Sequence, residues 1–230
     1  MSTQEDYISA IGQLVPGEIP LDELDKILAI NMAVKEHSKH KPLVVVEDVD
    51  GDGGFDYALS DLASWSEGFS SIKSVEYPVD DDDETTDVLQ ANEWMIYAKP
   101  TGKVLRFLSD TPTAAEDIRV SYTALHTCTG SACTVEDFDE EAVQALAAAY
   151  FCDFISTYYA QSQDSIIGAD SVDHKSKASE YATRARRYRE YYSHHMGIKP
   201  GQVPAASVTR DQDKAASWAG DKLTHKARYR

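Results

Sequence analysis

The sequence predicts an α+β protein: a helical bundle of two N-terminal and two long C-terminal helices, with a small antiparallel β-sheet inserted between them and an extended C-terminal tail. Apolar residues recur at three- and four-residue spacing towards both ends of the chain, whereas between residues 42 and 126 the spacing falls to two. The chain has 230 residues, of which 42% are hydrophobic, enough to bury a sizeable core.

Residues 1–41 are predicted to form the two N-terminal helices. The first follows Ser2 or Thr3 and ends at Pro16-Gly17. The second opens at Pro20-Leu21-Asp22-Glu23, because proline fits a first helical turn and acidic residues favour it. One side of this helix is traced by Leu21, Leu24, Leu28, Met32 and Lys35. His37 and His40 near its end fit helix-end dipole partners better than metal ligands.

Residues 42–126 are predicted to form the β-rich region. The first two strands, 43–46 and 55–59, are predicted to form a hairpin around residues 50–54, which are aspartate and glycine. Further strands are expected at 71–77, 93–97, 104–108 and 117–122. We expect the aromatic filling of the sheet from Trp65, Phe69, Trp94, Tyr97 and Phe107.

A run of acidic residues interrupts the β-rich region within a loop at 79–87. It comprises Asp80, Asp81, Asp82, Asp83 and Glu84. Five adjacent carboxylates repel one another, so the loop is predicted to project into water.

Residues 134–198 are predicted to form a long helical hairpin that completes the bundle. Its first helix, Glu140 to Gln161, carries a wide apolar stripe that must be covered on more than one side. Its second helix begins after Asp173 and ends at Gly197. The packed stripe of the second helix consists of Ala178, Tyr181, Ala182, Ala185, Tyr188, Tyr192, His195 and Met196. The opposite side is basic, which suits a surface that faces water or a partner.

The tail, residues 199–230, has little periodicity but carries spaced cations and one tryptophan. These are Arg210, Lys214, Trp218, Lys222, Lys226, Arg228 and Arg230. A frayed terminus and a segment that orders on an acidic partner are both compatible with this composition. From residue 174 onward 13 Lys and Arg face 5 Asp and Glu, although the whole chain has a net charge of −17. An acidic body with a basic end argues against a broad grip on nucleic acid.

The sequence contains no motif of a known catalytic or cofactor site. We therefore expect neither enzymatic activity nor a cofactor. Three cysteines, Cys128, Cys133 and Cys152, suit reduced thiols better than disulfides or a metal site. Asp48, Asp50, Asp52 and Gly53 match the first half of a calcium loop, but Leu59 stands where the bidentate glutamate should be. No apolar run is long enough to span a membrane, and no secretory signal is evident.

Four stretches carry a resemblance to a known family: VDGDGGFDY at 49–57, SVEYP at 74–78, IRVSYTALH at 118–126 and DSVDHKSKASEYATRARRY at 170–188. In these stretches, and in the order of its elements over most of residues 1–198, the chain resembles the head-to-tail connector (adaptor or neck) proteins of tailed bacteriophages. Its large β insertion departs from the smallest members of that group.

The resemblance implies a structural virion protein of the neck, assembled in the host cytoplasm. Such proteins form a ring, commonly of about twelve copies, below the portal and extend the DNA channel towards the tail. The tail of the chain would then bind the portal, a downstream neck or tail protein would follow, and DNA would pass without sequence-specific binding.

Charge complementarity suggests where copies would meet. A ring needs a contact between two different surfaces, and the basic helix face at Arg184, Arg187 and Arg189 would oppose an acidic neighbour. The acidic run at 80–84 is a candidate channel lining. Two alternatives are a tail completion or other neck protein and, in a different class, a calcium-binding module that uses Asp48 to Asp52.

Overall fold

The computed structural model describes residues 2–17, 21–79, 87–109, 111–114, 116–161 and 174–198. Helices and two antiparallel sheets occur together in this part of the chain, which confirms the predicted α+β class. The helices are α1 (Gln4–Leu14), α2 (Glu23–His40), α3 (Asp137–Gln161) and α4 (His174–His195). The strands are β1 (Leu43–Asp50), β2 (Asp56–Ala58), β3 (Ile72–Glu76), β4 (Trp94–Lys99), β5 (Gly102–Phe107) and β6 (Asp117–Ala124).

Both N-terminal helices begin with a capping box. The Thr3 side chain accepts the backbone N–H of Asp6, and the Asp6 carboxylate accepts the backbone N–H of Thr3. Asp22 and Asp25 make the same reciprocal pair at the start of α2. These bonds satisfy amide groups that a helix start otherwise leaves without partners, so each helix begins where its sequence predicts.

The helical core is built around α3, which packs against α1, α2 and α4. Five buried alanines of α3 let its neighbours approach closely, and Phe151 and Ile155 fill the space between them. The Tyr188 hydroxyl of α4 donates to the Leu14 carbonyl at 2.7 Å and so ties α4 to the end of α1. The core thus joins both ends of the described chain.

The packed stripe of α4 follows its prediction with one exception. Ala185 and Tyr192 are buried, and Tyr181, Tyr188 and Met196 are partly buried against the helical core. Ala182 is exposed.

The side of α2 that faces the core is not the side predicted from its row of leucines and methionine. Its buried residues are Ala29, Ile30, Ala33, Val34, His37 and Ser38. Leu24, Leu28 and Met32 remain 71%, 51% and 36% exposed. The helix therefore buries one row of apolar residues and leaves a second row of large apolar residues on the surface.

Two three-stranded sheets replace the single predicted sheet. The first has the order β1-β6-β3 and the second has the order β2-β5-β4, with antiparallel pairing throughout. The β4–β5 hairpin closes around Pro100-Thr101, with Lys99 paired to Gly102.

The predicted hairpin of the first two strands is wrong. β1 continues to Asp50 and pairs with β6 along its whole length, whereas β2 pairs with β5 of the other sheet. Between them the Gly51 amide donates to the Glu116 carbonyl at 2.9 Å, and a Cβ at this position would lie 2.2 Å from the Thr113 carbonyl oxygen. The close approach at Gly51 carries the chain from one sheet to the other.

A second core lies between the sheets. Phe107 is buried as predicted, and Trp65 and Trp94 pack partly buried against this core, whereas Tyr97 is 39% exposed. Tyr57 and Tyr122, which the sequence reasoning did not select, are buried here.

Phe151→Ala should lower the free energy of unfolding by about 3–5 kcal/mol, because it removes a fully buried ring and leaves a cavity. Urea denaturation followed by circular dichroism measures this loss. Phe138→Ala on the same helix is the matched control: its ring is 79% exposed, so the change should stay within about 0.5 kcal/mol. Equal losses for the two variants would contradict the assignment of α3 as the centre of the core.

Candidate interaction surfaces

The three arginines predicted for a subunit contact lie on α4, but two of them have partners within the chain. Arg184 donates to Glu180 one helical turn earlier and lies over the Tyr181 ring. Arg189 forms an ion pair with Asp153 of α3. The Arg189–Asp153 ion pair joins α4 to α3, and both guanidinium groups are less available to a neighbour than an unpaired arginine would be.

Arg187 differs from the other two. It is exposed, and no ion pair or hydrogen bond of its side chain occurs among the described residues. With Ser179, Glu180, Thr183 and Arg184 it lines a shallow open groove along α4. We call this surface the α4 groove.

The exposed side of α2 is a second surface. Leu24, Leu28 and Met32 stand one helical turn apart, so they form one continuous apolar row, which we call the α2 stripe. The sequence reasoning found these residues but assigned no function to them. Their spacing alone predicts an amphipathic helix and does not tell whether the apolar side meets its own core or another molecule.

The residues of the calcium alternative do not form a loop. Asp48 and Asp50 lie on the extended strand β1, and the Asp48 carboxylate accepts Arg119 Nε at 2.8 Å and Nη2 at 2.9 Å. Asp52 Oδ1 accepts the Gly54 amide at 2.7 Å. Across the described ranges, no three acidic, histidine or cysteine side chains are placed to hold a metal ion. The arrangement therefore lacks the geometry of a calcium loop.

The strongest polar cluster of the described chain surrounds Asp139, which is 3% exposed near the start of α3. Its Oδ2 accepts Lys41 Nζ at 2.7 Å, and its Oδ1 lies 2.8 Å from His195 Nε2. Burial raises the pKa of Asp139, but the hydrogen bonds from Lys41 and His195 more than offset this, so its pKa lies below the usual value. Asp139 therefore stays ionised and joins the ends of α2 and α4 to α3.

His37 lies beside this cluster and is fully buried. Its Nδ1 is 3.2 Å from the Tyr192 hydroxyl, while its Nε2 has no hydrogen-bond partner and lies 3.9 Å from Asp139 Oδ2. Burial, with a smaller contribution from the adjacent His126 ring, lowers the pKa of His37 to about 4. The sequence reasoning missed this cluster, because an acid in a first helical turn is ordinarily a surface residue.

The remaining candidates are structural. Cys128, Cys133 and Cys152 are buried free thiols, as predicted. His40 lies 3.6 Å from Glu36 of its own helix, and His194 is exposed whereas His195 turns to Asp139. None of the described helices is long and apolar enough to cross a bilayer.

Several predicted features lie outside the described residues. They are the acidic run Asp80 to Glu84, the cap Asp173, and the whole tail with Arg210, Lys214, Trp218, Lys222, Lys226, Arg228 and Arg230.

Among solved structures, chains of gene transfer agent particles show a low-level similarity to this fold. No protein-family model matches the sequence, and no curated protein matches it. The fold is similar to a chain in the neck of an empty gene transfer agent particle, with a TM-score of 0.30 and 13% identity over 76% of this chain and 87% of that one. A chain from a native gene transfer agent virion gives a TM-score of 0.30 and 12% identity over 79% and 92%. Similarity at this level assigns neither a family nor a function.

The free energy of unfolding should rise with pH between about 4 and 6.5, in part through His37. The unfolded chain binds a proton at this residue below about pH 6.5, but the folded chain binds it only below about pH 4. Acidification across this window should therefore cost about 3 kcal/mol through this one group. Denaturation at a series of pH values measures the slope.

His37→Gln should flatten that slope, whereas His194→Gln, at an exposed position, should keep it. Equal slopes for wild type and His37→Gln would show that the proton uptake on unfolding occurs elsewhere.

Proposed function

We propose that this chain is a structural protein of a tailed-phage virion, a head-to-tail connector whose copies form a ring below the portal and extend the DNA channel towards the tail. One observation carries the proposal: the described residues present two chemically different exposed surfaces, the apolar α2 stripe and the α4 groove with Arg187, whose side chain has no partner among those residues. The sequence resemblance to connector proteins, and an α+β fold of the expected order, support the same conclusion.

The α2 stripe suits a contact with another protein. Leu24 is 71% exposed and Leu28 is 51% exposed, and a different set of residues fills the core side of α2. Covering each leucine would contribute on the order of 1 kcal/mol or more. Exposed rows of large apolar side chains ordinarily mark interaction sites, because water disfavours them.

The α4 groove supplies a different kind of surface. A closed ring repeats one heterologous contact, in which one patch of a copy meets another patch of the next. Residues 1–173 hold 34 Asp and Glu against 9 Lys and Arg, so any neighbour approaches with an acidic body. Arg187 offers such a body an exposed cation, which would fix the orientation and speed the encounter.

The polar groups of the described chain suit a structural role. Asp139 is held by Lys41, and Asp56 is held by Arg106 and Lys99, which depress the pKa of Asp56 far below its usual value. Catalytic carboxylates are ordinarily shifted towards neutral pH rather than away from it. These two carboxylates therefore stabilise the fold through their ion pairs.

The proposed assembly has three further contacts. The basic tail, residues 199–230, binds an acidic portal surface with Trp218 as its apolar anchor. A downstream neck or tail protein binds the other end of the ring. DNA passes through a channel that is poor in lysine and arginine, and the acidic run at 80–84 lines it, so that phosphates are not gripped.

Leu28→Asp should reduce ring formation at least several-fold, because a carboxylate in an apolar contact is desolvated without a partner. Native mass spectrometry of the full chain with its portal protein measures the fraction of assembled copies. Leu108→Asp is the matched control, since Leu108 is 50% exposed and lies outside α2. An unchanged ring with Leu28→Asp would remove the α2 stripe from the contact.

Deletion of residues 199–230 should leave a folded chain that no longer binds portal protein. Circular dichroism checks the fold, and co-purification with the portal measures binding. A combined Arg210, Lys214 and Lys222 change to glutamate in the full chain should weaken binding in the same direction. Full binding by the truncated chain would refute the assignment of the tail.

A further inference from the structure

Two strands have an outer edge that other described residues leave unpaired. β1 stands at one end of its sheet, and all eight of its residues pair with β6. β4 stands at one end of the other sheet and pairs with β5. On the far side of each strand, no backbone hydrogen bond occurs within the part of the chain that the structure describes. An extended segment could therefore add to either edge.

The other two edges are protected. Beside β3, the Leu89 amide donates to the Val75 carbonyl at 2.8 Å, and the Tyr77 amide donates to the Asp87 carbonyl at 3.0 Å. The pairing of β3 also shifts register between Ile72 and Ser74. β2 is only three residues long. Covering, irregularity and shortness are common means by which proteins prevent edge-to-edge association. Among the described residues nothing covers β1 or β4, and both strands are regular; their charged side chains lie towards their C-terminal ends.

The side chains of the two open edges are apolar and exposed. Val44 and Val46 of β1 are each 57% exposed. Met95, Ile96 and Tyr97 of β4 are 42%, 41% and 39% exposed. A regular, unpaired strand with such side chains is a site for pairing with another chain.

We propose that β1 of one copy pairs with β4 of the next copy, so that a sheet of one subunit continues into a sheet of its neighbour. This inference rests on the proposed ring and names the backbone contact that would close it. A ring requires two different edges, and the described chain provides one open edge in each of its two sheets. Pairing β1 with another β1 would instead give a twofold dimer, which cannot continue into a ring.

The charge order of the strands selects a parallel pairing. β1 begins with four apolar residues and ends with Asp48 and Asp50, while β4 begins with Trp94 and ends with Lys99. Parallel pairing places the carboxylates beside Lys99, whose ammonium already binds Asp56 at 2.7 Å and has further donors. Antiparallel pairing would place Asp50 beside Trp94 and Met95, where it would lose water without gaining a cation; Asp48 keeps Arg119 in either direction.

Cysteine cross-linking of two full-length populations tests the pairing. Copies with Val44→Cys are mixed with copies that carry Met95→Cys and then oxidised mildly; the native cysteines are buried and should not link one copy to another. Cross-linked dimers should exceed by several-fold those of Val44→Cys with Val88→Cys, because Val88 is 53% exposed but lies on the protected edge. An excess with Ala98→Cys instead would overturn the parallel direction, and self-linked Val44→Cys copies would overturn the β1–β4 pairing.

A charge placed on the edge gives an independent readout. Val46→Lys should leave the chain folded, as judged by circular dichroism, but reduce ring formation several-fold, whereas Val88→Lys should leave the ring intact. If rings form normally with Val46→Lys and no β1–β4 cross-link appears, the edge pairing is wrong while the connector function stands. If the wild-type chain stays single even with portal protein, the proposed function fails as well.

Discussion

The fold depends on one buried charge, the carboxylate of Asp139. It sits near the start of α3 and bonds at 2.7 Å to Lys41, which follows α2, and at 2.8 Å to His195, at the end of α4. A buried carboxylate is tolerated only when cations and donors satisfy it, so the three helix ends must meet at this point and in this orientation.

The same constraint fixes the rotation of α2. With Lys41 directed at Asp139 and His37 directed at Tyr192, the side of α2 with Ile30 is buried, and the side with Leu28 faces outward. The α2 stripe is in this sense a consequence of the buried ion pair.

Local signals were sufficient for the elements but not for their pairing. Helix starts at Thr3 and Asp22 were predictable, because a side chain that caps a helix acts within three residues of the amide it binds. The strands were likewise recognisable from period-two runs between turn residues. The partner of β1 was not, since residues 50–54 have the composition of a hairpin turn and yet connect two sheets. What decides the path is the contact of Gly51 with Thr113 and Glu116, more than sixty residues away along the chain, and no local pattern reports such a contact.

The candidate surfaces, like the strands, were predictable from the sequence only where local contacts determine them. The sequence located the basic side of α4 correctly as a surface, but Arg189 reaches Asp153 on α3, and this ion pair depends on how the two helices face each other. Arg187 keeps its exposure because its direction on the helix carries it away from α3. The role of Asp139 could not be predicted for a related reason. An acid in the first turn of a helix is usually exposed to water and interacts with the helix dipole, whereas here the ends of α2 and α4 bury the Asp139 carboxylate. The burial of Asp139 and the ion pair of Arg189 both depend on long-range packing, which the composition of the sequence does not report.

Ion pairs within the fold also affect the electrostatic field that a polyanion meets at the surface. In the β-rich region, Arg119 is bound by Asp48, Arg106 and Lys99 by Asp56, and Lys103 by Glu67. Each such pair near the surface contributes little to stability. Together, however, they neutralise cations that are already few, since residues 1–173 hold only 9 Lys and Arg against 34 Asp and Glu. The field outside this part of the chain is therefore negative, which repels phosphate and attracts basic segments. In the proposed connector, a body of this kind would let DNA pass without holding it. Under that proposal, charge complementarity between copies and weak interaction with DNA would both follow from the excess of carboxylates.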